Sequence, residues 1–231
     1  MKNVSSEMNS VYSLSDKQSM ICVQASLLYE ALTARLETIY DRLVDQIEPG
    51  GVREFENHFN NWISVFLFFS DQTQRYFSPI VKPEQSLSLQ DLNFDEGKTC
   101  ISNLDLINEL GNELGMDEMT VDIIPLVQDI LNVVADEIGK TQLIPRTQRH
   151  LQRGLLRLKT KIVDYGDVLH TITFPLIQTS SIESDVDARS GFLQDQDADE
   201  KDWVIEWMRE SLSETGILAL ESILDGISRN N

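Results

Sequence analysis

The sequence predicts an all-α protein, a multi-helix bundle of about five to seven helices. Apolar residues recur at three- and four-residue spacing through several long segments, and Gly and Pro stand at most of the boundaries between them. Strand-like alternation is confined to short pieces such as Thr171–Phe174, which a helical period already explains. The chain has 231 residues, 41% of them hydrophobic, enough for a core without staples. Cys22 and Cys100 are too few for a disulfide framework.

Four regions follow in order: a flexible arm over 1–14, a helical bundle domain over 15–178, an acidic flexible linker over 179–200, and a C-terminal helical segment over 201–231. The arm is Ser- and Asn-rich and lacks a period. The first helix is predicted from Asp16, an N-cap candidate, to Ile47. Leu28, Leu32, Leu36, Ile39, Leu43 and Ile47 line it, and Pro49-Gly50-Gly51 stops it.

The second helix, predicted over 52–77, holds eight aromatic residues between Phe55 and Phe77. Phe55, Phe59, Trp62, Phe66 and Phe69 fall within about 80° of arc at 100° per residue. From Trp62 to Phe69 the only polar residue is Ser64, which places this helix at the centre of the bundle. The stripe reads as core, with a ligand pocket as its alternative. Pro79 and Pro83 are expected to end the helix, and 78–101 reads as loop. A short third helix is expected over 103–114, with Gly115 as its stop. The fourth is expected over 117–138, with Pro125 in its first turn or at a kink and Gly139 as C-cap.

The fifth helix, 146–178, has the clearest pattern. Leu151, Leu155, Leu158, Ile162, Tyr165, Leu169, Ile172 and Leu176 alternate steps of four and three, a heptad seam suited to a partner helix at a shallow crossing angle. That partner is either helix two or another subunit, so a homo-oligomer through the seam is one expectation, and intramolecular packing is preferred. Pro175 should bend or end the helix. After the Ser- and Asp-rich linker a last helical segment starts near Asp202, breaks near Ser213–Gly216, and resumes through Leu218–Ile227.

No motif names an enzyme. Gly97-Lys98-Thr99 and Gly139-Lys140-Thr141 resemble the end of a phosphate loop, but Leu92 and Val134 stand where its first Gly is required. Asp195, Asp197, Asp199 and Glu206 match four calcium-loop positions, yet Glu200 replaces the Gly that makes the sharp turn. Asp91, Asn93 and Asp95 begin similarly and end at Ser102. His58, His150 and His170 form no ligand spacing with one another. No catalytic, cofactor-binding or metal-binding residue is therefore assigned.

The net charge of −19 disfavours general nucleic-acid binding. One stretch departs from it. Lys140, Arg146, Arg149, Arg153, Arg157, Lys159 and Lys161 occur with no acid between Glu137 and Asp164. On a helix Arg146, Arg149, Arg153 and Arg157 lie at about 160–240° from Leu151, opposite the seam. These four, with Trp203 and Trp207 of the C-terminal segment, are the candidate partner-binding residues, since Arg and Trp dominate interface energetics. Trp203, Val204 and Trp207 are placed on one available face, with Ile205 and Leu212 on the docked one. The expected function is a non-enzymatic helical adaptor or regulator that binds another protein. The alternatives are an acidic decoy of a nucleic-acid-binding protein and a ligand carrier or enzyme using the aromatic helix. With no apolar run near 20 residues and no apolar stretch after Lys2, neither a membrane span nor a secretory leader is expected, and the cytoplasm is the expected compartment.

Overall fold

The computed structural model describes residues 17–44, 51–81, 118–137, 143–179, 193 and 198–229. They form helices α1 (Lys17–Val44), α2 (Gly51–Val81), α3 (Glu118–Glu137), α4 (Pro145–Val168), α5 (Phe174–Thr179), α6 (Ala198–Ser211) and α7 (Glu214–Arg229). A π-helical turn, Leu169–Thr173, joins α4 to α5. No strand occurs among the described residues. The N-terminal arm, the helix expected over 103–114, the cap at Gly139 and most of the acidic linker lie outside them.

α1 runs through the middle of the bundle and packs on α2, α4 and α6, while α3 packs on α4 and α2. Leu28, Leu32, Leu36, Ile39 and Leu43 are buried along α1, as their spacing requires. α2 is buried on every side from Trp62 to Phe69, Ser64 included. Ser64 satisfies its hydroxyl by donating to the Asn60 carbonyl one turn back, at 3.2 Å. The aromatic stripe is a ladder of near-parallel rings: Phe55–Phe59 at 5.8 Å, Phe59–Trp62 at 5.9 Å and Trp62–Phe66 at 5.3 Å. Contrary to expectation, α2 passes Pro79 and ends at Val81. A proline two residues from a helix end removes only one bond, so the last turn survives it. Pro125 is neither in a first turn nor at a terminus. It lies inside α3 with its ring exposed, and so forgoes the bond that an N–H would make to the Val121 carbonyl.

α4 opens with Pro145 at its first position, where a missing N–H costs nothing. Its seam is buried from Leu151 to Leu169. The partners are α1 and α3 rather than α2, which reaches the seam through the edge-on contact of Phe69 with Tyr165 at 6.1 Å. From Leu151 to Leu169 the chain's own helices fill the seam. The pattern also breaks at its end. Ile172 and Leu176 are 54% and 48% exposed, and Phe174 and Ile177 are buried instead. In the π turn the Phe174 N–H donates to the Leu169 carbonyl five residues back. One residue more than an α-turn rotates everything after it by roughly 100°, which exchanges the buried set. The wider turn precedes Pro175, whose ring would otherwise press on the carbonyl four residues earlier. The proline therefore does not end the helical run, which continues to Thr179.

Two helical glycines let the helices approach closely. A Cβ at Gly166 would stand 2.1 Å from Cζ and Oη of Tyr29 on α1, and one at Gly154 would stand 2.9 Å from Ile130 Cγ1 on α3. Gly166→Ala is expected to destabilise the fold by about 1–3 kcal/mol through overpacking, against an intrinsic helix gain of about 1 kcal/mol. Urea unfolding of Gly166→Ala in the wild-type and Tyr29→Ala backgrounds checks this. In the second background the penalty should vanish. Gly226, with nothing within 4 Å of an added Cβ, should gain stability on the same substitution, and a loss there would contradict the steric account.

α6 begins at Ala198, earlier than Asp202. It breaks at Leu212–Ser213, and α7 starts at Glu214. Ser213 caps α7: its Oγ accepts from the Gly216 N–H at 3.2 Å and donates to Glu30 of α1 at 2.9 Å. Val204, Ile205, Trp207, Met208, Leu220 and Ile223 belong to the same buried cluster as α1 to α4.

Candidate docking surface

The leucine seam fixes the rotation of α4, and that rotation decides where every basic residue goes. On one flank Lys159 Nζ reaches Glu37 of α1 at 2.6 Å, and Gln148 Nε2 donates to the Leu43 carbonyl at 2.8 Å. On the other flank Lys161 Nζ reaches Asp122 at 2.7 Å and His150 Nε2 lies 3.2 Å from Asp129, both on α3. The ammonium–carboxylate hydrogen bond to Asp122 raises the Lys161 pKa above its ordinary value. Opposite charges thus tie both edges of α4 to its neighbours.

The four arginines lie between those edges, facing outward. Arg146, Arg149, Arg153 and Arg157 are all exposed. None of them has a carboxylate within ion-pair distance among the described residues. Arg149 Nε donates to the Pro145 carbonyl at 3.1 Å, a local bond that leaves its charge uncompensated. Beside them on the same outer surface are Leu156, 52% exposed, and Val163, 36% exposed. The spacing that reveals the arginines also contains these two apolar residues, at about 140° and 120° from Leu151. The result is a cationic, partly apolar strip roughly 16 Å long between Arg146 and Arg157, at 1.5 Å per residue.

The tryptophans are placed differently from expectation. Trp207 is buried, at 5% exposure, and Trp203 is half-buried and packed on the core. Taking Trp203 as zero, Trp207, Val204, Met208, Leu212 and Ile205 fall at about 40°, 100°, 140°, 180° and 200°. They make one broad buried arc, and the fully buried Met208 joins what looked like two opposed faces. The core therefore encloses Trp207 and covers Trp203 in part. Exposed on α6 instead are Asp202, Glu206, Arg209 and Glu210. Arg209 bridges Glu206 at 3.2 Å and Glu221 at 2.8 Å, and Glu210 meets Arg35 at 3.4 Å.

The two partly buried histidines have lowered pKa values. Burial lowers the His58 pKa below its ordinary value, and the charges of Arg42 and Arg35 lower it further against the pull of Glu54. Arg42 donates to Glu54 at 2.9 Å and also to His58 Nε2, a contact that needs a neutral imidazole. Burial likewise lowers the His170 pKa, opposed by Asp167. His170 sits edge-on between Phe174 at 5.0 Å and Tyr29 at 6.1 Å. A lowered folded pKa means that the folded state binds fewer protons than the unfolded one. This contribution to stability is complete above the unfolded value near 6.5 and is lost as the pH falls through the lower folded values. Wild type should therefore lose more stability than the His58→Gln, His170→Gln variant between about pH 7.5 and pH 5. Equal losses in chemical denaturation would contradict it.

Among the described residues no group of His, Cys, Asp or Glu could hold a metal ion, and no helix is long and apolar enough to cross a membrane. No family model matches the chain, and neither a curated protein nor a solved structure matches it.

Proposed function

We propose that this chain is a non-enzymatic helical adaptor or regulator that binds an acidic protein partner through Arg146, Arg149, Arg153 and Arg157. The observation that carries the reading is the contrast along α4. Lys159, Lys161 and His150 are engaged with carboxylates of α1 and α3, while the arginine strip between them stands exposed without such a partner among the described residues. Unpaired surface guanidiniums cost little, but four in a row repel one another, and a ligand with carboxylates relieves that repulsion with planar two-point hydrogen bonds. Leu156 and Val163 add apolar area that polar groups surround, the make-up of an interface centre and its rim. Nucleic acid fits less well, because a chain of net charge −19 repels a polyanion as it approaches.

A fluorescent poly-glutamate peptide is a suitable probe, with single-stranded DNA of equal length as the rival. The wild-type chain should bind the peptide more tightly than the DNA. Arg149→Glu with Arg153→Glu should weaken peptide binding at least about tenfold, or 1.4 kcal/mol, without changing the unfolding midpoint. Peptide binding that ignores this double reversal, or tighter binding of DNA, would refute the reading.

A further inference from the structure

We infer that a second copy of this chain occupies the arginine strip, laying the outer face of its α7 along the outer face of α4. This rests on the strip being a protein-docking surface. The inner face of α7 is committed: Gly216, Leu220 and Ile223 are buried. The outer face carries Glu214, Leu218, Glu221 and Asp225, within about 60° of arc at 100° per residue. Leu218 is 71% exposed, more than any other large hydrophobic residue described. Glu214 and Asp225 are exposed and have no cation within ion-pair distance among the described residues. Glu221 shares one oxygen with Arg209 at 2.8 Å.

The two ridges match in length and in sign. Glu214 to Asp225 and Arg146 to Arg157 each cover eleven steps, roughly 16 Å. Set antiparallel, Arg157 faces Glu214, Arg149 faces Glu221 and Arg146 faces Asp225, while Leu218 lies over the stem of Arg153 close to Leu156. Each ridge thus offers its partner charges of opposite sign and one exposed leucine. Copies of net charge −19 repel at long range, but that repulsion is screened beyond about 8 Å at physiological salt, while contact pairs lie inside that distance. Association should therefore strengthen from very low salt to about 0.15 M and weaken again near 1 M, where the screening length falls to about 3 Å.

Sedimentation equilibrium of the full chain tests this. Wild type should show concentration-dependent association at about 0.15 M salt. Glu214→Lys with Asp225→Lys, and separately Arg146→Glu with Arg157→Glu, should each weaken association at least about tenfold. All four positions are exposed, so unchanged circular dichroism is expected. Combining the four reversals should restore association, because the reversed charges again face one another. A wild type that stays monomeric up to about 100 µM, or association untouched by both double reversals, overturns the inference. The poly-glutamate probe separates this failure from that of the function. If wild type is monomeric yet loses the peptide on Arg149→Glu with Arg153→Glu, the docking strip stands and only self-association falls. If peptide binding also ignores the arginines, both fall.

Discussion

Replacing Trp62 with alanine is expected to cost the fold about 3–5 kcal/mol, the range for deleting a fully enclosed large aromatic. No part of Trp62 is exposed. Its ring lies nearly parallel to those of Phe59 and Phe66, at 5.9 and 5.3 Å, within the range where offset stacking adds to burial. Its Nε1 donates to the Leu32 carbonyl on α1 at 2.9 Å, so one side chain both fills the α1–α2 contact and ties the two backbones together. Trp62→Phe keeps most of the volume and loses this bond, and should cost about 1–2 kcal/mol, nearer the value of one hydrogen bond. Phe66→Ala should fall in the same range as Trp62→Ala. Leu218→Ala, on an exposed site, should stay within about 0.5 kcal/mol. Urea unfolding midpoints with constant slopes would establish the order. A loss under about 1 kcal/mol for both Trp62→Ala and Phe66→Ala would mean that the ladder is not the core of the bundle.

That ladder was legible in the sequence because burial on a helix writes itself as a period, and Phe55 to Phe69 keep it without interruption. The arginine strip was legible for a related reason: no acid interrupts the run, so the wheel position of each guanidinium follows from its number. The pairing of Lys159 with Glu37 and of Lys161 with Asp122 was not, since it depends on which helices flank α4. Gly166 gave a weaker signal. A glycine inside a helix costs about 1 kcal/mol unless packing needs it, but only the position of Tyr29 reveals the need. For Trp203 and Trp207 the spacing alone draws two narrow lines on α6, and the burial of Met208 joins them into one wide arc. The outer ridge of α7 obeys the same spacing as the core stripes. Spacing alone does not reveal it, because Leu218 reads as a core residue until its exposure is known.

The largest contrast is expected from single-residue deletions in α4 and in the π turn that follows it. Deleting Thr160, an exposed residue in mid-helix, would rotate everything after it by roughly 100° relative to Leu151, Leu155 and Leu158. Ile162, Tyr165, Leu169, Phe174 and Ile177 would all leave the seam, and at about 2–5 kcal/mol for each large apolar side chain lost from a core the bundle should not fold. Deleting Ile172 should behave oppositely. It removes the extra residue of the π turn, after which Leu169, Phe174 and Ile177 stand four and three apart, the spacing that the seam already uses. The one obstacle is Pro175, whose ring would then meet the carbonyl one turn back, at a cost of about 3 kcal/mol. The deletion is therefore made with Pro175→Ala, on an exposed position. This pair should fold with wild-type helicity and a stability within about 1 kcal/mol of wild type, while deletion of Thr160 leaves no cooperative unfolding transition. If removing Ile172 with Pro175→Ala also abolished folding, the widened turn would not be the device that keeps Phe174 and Ile177 in register.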